Sequence, residues 1–112
     1  MYYQIMNWGS YREEVQDTAE DWNDGRDELT SDEVLHDLLG TKIDPQWGIE
    51  FESADELESL DGFRSKELYT QNEDEAYKAR DRYFDESLYS AFSMQEMAEA
   101  IVEAFYEMRE KA

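Results

Sequence analysis

The chain has no cysteine, one proline, one histidine and only ten basic residues among 112. Without cysteine there is no disulfide framework, no thiolate metal site and no Cys nucleophile. The single histidine, His36, leaves the usual zinc ligand sets incomplete, because they need a second His or a Cys. There is no glycine-rich phosphate loop, no P-loop and no G-x-S-x-G elbow. No stretch approaches the ~18 apolar residues of a membrane span. Met1 to Ser10 also lacks the basic start and apolar run of a signal peptide. These absences predict a cytoplasmic protein that is not an enzyme and uses no metal or cofactor.

The shortage of bases matters most. Thirty acidic residues stand against ten basic ones, a formal net charge of -20. Self-repulsion at that charge destabilises a compact state, so a compensating role is expected. Nucleic acids and anionic membranes would repel such a surface, which leaves a basic protein as the consistent partner. The chain is still built to fold. A hydrophobic fraction of 40% with 14% aromatics, including three Trp, eight Tyr and five Phe, argues against disorder. The length suits one core, so residues 1–112 read as a single acidic helix-rich domain.

Helix starts recur along the chain. The capping-box pattern, Ser or Thr followed three residues later by Glu, occurs at Ser10/Glu13, Thr30/Glu33, Ser53/Glu56, Thr70/Glu73 and Ser93/Glu96. Each opens an apolar-periodic stretch. The first predicted helix runs from about Tyr11 to Trp22, with Tyr11, Val15, Ala19 and Trp22 inward, and stops at Asn23-Asp24-Gly25. The second turns Val34, Leu35, Leu38 and Leu39 inward and ends at Gly40. A short third covers Ala54 to Leu60, before the Asp61-Gly62 turn. The fourth, Gln71 to about Asp85, places Tyr77 and Phe84 together, and the last runs from Met94 to about Glu110. Trp47 to Glu52 alternates like a half-buried strand just after Pro45, and Tyr2 to Met6 is its predicted partner. The expected fold is mainly α, or α+β if the short strands pair. It is a compact bundle of about five helices with at most a two-stranded β element.

The acids are unevenly placed. Residues 1–63 hold eighteen acids and three bases, and residues 64–112 hold twelve acids and seven bases. Glu13, Asp17, Glu20, Asp21 and Asp24 fall three or four apart and share one helix face. Asp27, Glu28, Asp32, Glu33 and Asp37 extend it, and these ten residues form the candidate partner-binding face. Glu96, Glu99, Glu103, Glu107 and Glu110 make a secondary stripe on the last helix. Trp8 and Trp22 are candidate aromatic anchors.

Carboxylates at this spacing are separated by about 4.5–6 Å of helix rise. Duplex DNA carries one charge per about 3.4 Å on each strand, so two neighbouring stripes approximate its charge density. Like-charged i,i+4 neighbours such as Glu99/Glu103 cost about 0.2–0.5 kcal/mol each. Local rules broken repeatedly in one direction signal a functional demand. In composition and size, on the Glu13–Asp37 run and the Glu96–Glu110 stripe, the chain resembles the phage and plasmid DNA-mimic proteins. That resemblance implies an inhibitor that occupies the DNA-binding groove of a CRISPR effector, a restriction enzyme or another DNA-handling protein. It implies action in a host cytoplasm if the chain is virus-encoded. An immunity or antitoxin protein that neutralises a basic nuclease is a variant of the same reading.

A halophilic cytoplasm selects an acidic surface with few lysines on any domain, including a metal buffer or minor enzyme, and only four lysines are present. The segment Asp21–Gly25 fails as an EF-hand loop: with Gly25 at position six, Trp22 stands third and Ser31 twelfth. Bases between Arg64 and Arg82 are interspersed with acids, and Asp74/Lys78 is a candidate i,i+4 pair. The repeat Met94, Met97, Ile101, Met108 is either core or a homodimer seam.

Overall fold

The computed structural model describes residues 1–42 and 69–111. The predicted helix Ala54–Leu60 and the predicted strand Trp47–Glu52, with Pro45, lie outside them. The described chain is mostly helical with a small antiparallel sheet, an α+β arrangement. Strand β1 (Tyr3–Asn7) leads directly into helix α1 (Trp8–Trp22), followed by α2 (Ser31–Lys42). Strand β2 (Tyr69–Thr70), helix α3 (Glu73–Tyr83), strand β3 (Tyr89–Ser93) and helix α4 (Met94–Lys111) complete the order. The sheet order is β2-β1-β3, with Gln4 opposite both Tyr69 and Phe92. The expected limit of two strands is therefore exceeded. Strand β3 is not legible in the sequence because Tyr89–Ser93 is short and does not alternate, its serines falling three apart, and it joins α4 with no turn residue to mark the change.

Of the five capping predictions, Ser53/Glu56 lies outside the described residues, two hold and two shift. The Glu33 amide donates to Thr30 Oγ1 at 3.3 Å and the Glu96 amide to Ser93 Oγ at 3.0 Å, as the pattern requires. Helix α1 instead begins three residues before the predicted start, with Asn7 as its cap: Asn7 Oδ1 accepts from the Ser10 amide at 2.6 Å. Helix α3 is capped by Asn72, which accepts from the Asp74 and Glu75 amides at 3.0 and 3.3 Å. Asn is as good a cap as Ser and needs no acidic partner, so the box pattern missed both. Helix α1 does end at the predicted stop: Gly25 adopts φ 74, where a side chain would be strained. Helix α2 continues past Gly40 to Lys42. Replacing Asn7 by Ala should cost about 1 kcal/mol in urea unfolding, and Ser10→Ala much less. Equal losses would return the cap to Ser10.

Alternation along β1 builds two cores. Met6, Tyr69 and Phe92 face the larger one with Ala19, Leu29, Val34, Leu38, Met94, Met97, Ala98, Ile101 and Phe105. Ile5 and Ala91 face the other side, against Ala76 and Ala79 of α3, with Tyr77 and Phe84 packed alongside. The sheet is thus covered by α3 on one face and by α1 and α4 on the other. Tyr11 stacks on Phe92 with ring centroids 3.9 Å apart, tying α1 to β3. The predicted inward faces of α1, α2 and α4 are the observed ones. Met94, Met97 and Ile101 have no exposed surface and Met108 is half-buried, so this repeat is the chain's own core face. Of the two readings open for these residues, core or homodimer seam, Met94, Met97 and Ile101 are taken up by the core.

Candidate functional site

Helix α4 is the middle helix. It packs against both α1 and α2, while those two barely touch each other. The contacts at its C-terminal half explain why. Tyr106 Oη accepts from the Leu29 amide at 3.1 Å and donates to the Leu29 carbonyl at 3.2 Å. Arg109 reaches Asp27 at 3.9 Å, and Gln16 Nε2 donates to Met108 Sδ at 3.7 Å and to Glu20 Oε1 at 3.1 Å. The loop between α1 and α2 is therefore anchored on α4, and the two helices flank it.

The consequence is electrostatic. Glu96, Glu99, Glu103, Glu107 and Glu110 fall within an arc of about 80° on α4, opposite Met94, Ile101 and Phe105. On α1, Glu13, Asp17, Glu20 and Asp21 lie opposite Val15 and Ala19 in the same way. On α2, Asp32, Glu33 and Asp37 point away from Val34 and Leu38. Asp24, Asp27 and Glu28 bridge the two helices, and every acid named here is exposed. The stripe expected to be secondary lies between the two parts of the stripe expected to be primary, and together they form one acidic face. Residues 8–40 and 94–111 carry sixteen acids against four bases, and residues 69–93 carry six against three. Per residue, this helical layer is as acidic as residues 1–63 and more acidic than residues 69–93.

Among the described residues, two arginines pair with acids of this face. Arg26 pairs with Glu33 and lies 4.9 Å above the Trp22 ring. Arg109 stacks 4.6 Å above Phe105 besides its long contact with Asp27. Among the described residues, Glu13, Asp17, Glu20, Asp21 and Asp24 have no ion pair. Tyr11, on the inner edge of α1, has its phenol pushed above the ordinary value, first by burial and then by the carboxylate of Glu96. His36 is exposed on the solvent side of α2.

The two anchor candidates differ. The face of Trp22 is covered by Arg26, and its ring is half-buried. Trp8 is 45% exposed, edge-on to Phe92 at 5.0 Å. Its amide donates to the Leu88 carbonyl at 2.9 Å, which brings up Leu88, itself 57% exposed. The two side chains border a cavity of ≈ 350 Å³ with Arg12 at its wall. Sequence reasoning missed Leu88, because it comes beside Trp8 only where the β1–β3 ladder runs on into the turn after α3. That turn is held by Asp85, whose Oδ1 accepts from the Ser87 amide and hydroxyl at 3.0 and 2.7 Å. These two bonds hold the Asp85 carboxyl below its usual value.

Elsewhere, the mixed cluster on α3 is partly paired, as expected. Arg80 contacts Asp81 at 2.6 Å and Glu86 at 3.6 Å. The i,i+4 neighbours Asp74 and Lys78 are not among the ion pairs of the described residues. No group of three His, Cys, Asp or Glu among the described residues is arranged to hold a metal ion. None of the described helices is long and apolar enough to cross a membrane. Fold and surface together define an α+β protein with exposed acidic stripes on three helices, two of them packed against the third. Comparison with known protein families, curated proteins and solved structures finds no match.

Proposed function

We propose that the chain is a non-enzymatic inhibitor that imitates DNA and blocks a basic nucleic-acid-binding protein. The favoured target is a host defence nuclease complex, a CRISPR effector or a restriction enzyme, met in the cytoplasm. The observation that carries this reading is the position of α4, whose five glutamates fill the space between the acids of α1 and α2. Packed helices sit about 8–10 Å apart, so the face carries parallel rows of charge at that spacing. The grooves of B-DNA, about 6 and 12 Å wide, separate its two rows of phosphates on the same scale. A basic cleft would be steered onto this face by long-range attraction, with association fast and salt-sensitive. Trp8 and Leu88, at the end of α1, supply apolar surface beside the charge.

The test is a tagged pull-down from host lysate, eluted in a salt gradient and, in parallel, with duplex DNA. Basic nucleic-acid-binding proteins should be retained at ~0.15 M salt and released by higher salt or by the duplex. If no such protein is recovered, the proposal fails.

A further inference from the structure

The cavity of ≈ 350 Å³ bordered by Trp8 and Leu88 has no Asp or Glu among its lining residues, in a chain with thirty acids among 112 residues. A base, Arg12, stands at its wall instead. Among the described residues, Arg12 is the arginine with neither an ion pair nor a ring contact. Arg26, Arg80 and Arg109 each have both, and Arg82 lies over the Tyr83 ring. The acids of the neighbouring turn are engaged elsewhere: Asp85 Oδ1 accepts from the Ser87 hydroxyl at 2.7 Å, and Glu86 pairs with Arg80 at 3.6 Å.

Arg12 does not relieve repulsion within α1 either. Helix neighbours lie three and four residues away. For Arg12 these are Trp8, Gly9, Val15 and Gln16, none of them an acid. Position 16, three from Glu13 and four from Glu20, is where a base would offset the stripe, and it holds Gln. Gly9 is a second departure from what stability alone favours. A Cβ there would meet only Asn7 Oδ1, at 3.5 Å, which is ordinary contact, so alanine fits and would suit the helix better. Glycine instead leaves that wall of the cavity bare.

The other walls are fixed in advance. The Trp8 amide donates to the Leu88 carbonyl at 2.9 Å, and the Leu88 amide to the Asp85 carbonyl at 2.9 Å. The Trp8 ring stands edge-on to Phe92, which is buried and stacked on Tyr11. Two exposed large apolar side chains held beside an unpaired cation form a ready docking corner.

We propose that this cavity docks a segment of a partner protein in which an apolar residue adjoins Asp or Glu. The apolar side chain lies between Trp8 and Leu88, and the carboxylate meets the planar fork of the Arg12 guanidinium. The volume is near the lower end of ligand sites, which run to about 300–1,000 Å³, and suits one side chain with its neighbour. This goes beyond the DNA-mimic reading, in which Trp8 and Leu88 are apolar surface only, and either can fail alone.

The experiment is an NMR titration of the full chain at ~0.15 M salt with capped Ala-Leu-Asp-Ala. Capped Ala-Leu-Asn-Ala and Ala-Ala-Asp-Ala are the controls. The Leu-Asp peptide should give saturable shifts at the Trp8 indole, Gly9 and Ser87 to Tyr89, with each control severalfold weaker. A chain of net charge -20 repels an acidic peptide, so a preference for Asp over Asn runs against the overall field and reports Arg12. Arg12→Gln should erase that preference. Gly9→Leu should block the cavity while leaving thermal stability undiminished, since Leu favours the helix. The proposal is overturned by the absence of saturable shifts, by equal response to the Asp and Asn peptides, or by a preference that survives Arg12→Gln. Shifts unchanged in Gly9→Leu also overturn it. So does tighter binding of acetyl-leucine, which would assign the cavity to a free carboxylate rather than to a side chain. Each variant's own spectrum reports whether it is folded.

Discussion

Replacing Asp17 and Glu103 by lysine together is expected to make the protein more stable and, at the same time, to abolish capture of its basic partner. Each residue sits at the centre of its stripe. Asp17 has Glu13, Glu20 and Asp21 at three or four residues' distance, and Glu103 has Glu99 and Glu107. Each like-charge neighbour costs about 0.2–0.5 kcal/mol and an opposite one returns a similar amount, so the double change should add about 2–5 kcal/mol over these five pairs. That is on the order of ten degrees or more in Tm for a domain of this size. Binding should weaken by at least about tenfold at physiological salt, since both reversals fall within the proposed contact. Thermal unfolding and the salt-gradient pull-down read the two effects separately. An acidic surface that merely reflects a salty cytoplasm predicts the stability gain with no binding to lose. Full retention of the partner by the stabilised variant would therefore remove the acidic face as the interface.

Phe105→Ala should nearly unfold the protein. Phe105 has no exposed surface, lies on the inner side of α4 and anchors the larger core. Truncating a buried Phe costs about 3–5 kcal/mol. A domain of this kind has about 5–15 kcal/mol in total, and here self-repulsion draws on that margin. Urea unfolding of the variant should show a midpoint lowered by a third or more, partly recovered when salt screens the surface. The unaltered chain should be fully folded at ~0.15 M salt, whereas a halophile's domain needs molar salt. A small loss in Phe105→Ala would mean that α4 is not the central element of the core.

The helical faces were legible because period-3.6 patterns survive any tertiary arrangement. Tyr11, Val15 and Ala19 face inward on α1, and Val34 and Leu38 on α2, whatever those helices pack against. The strands were harder to see. A two-residue strand such as Tyr69–Thr70 has no period, and Tyr89–Ser93 acquires its sheet character only from pairing with β1. Trp8 and Leu88 are eighty positions apart, and only the β1–β3 ladder brings them together.

The net charge, the predominance of helix and the residues that form each acidic stripe were determined by the sequence itself, because composition and helical period are local properties. The order of the stripes in space was decided only by the tertiary structure. Tyr106 and Arg109 hold the α1–α2 loop against α4, and that contact places the last helix between the first two. Three separate rows of acids thereby become one face.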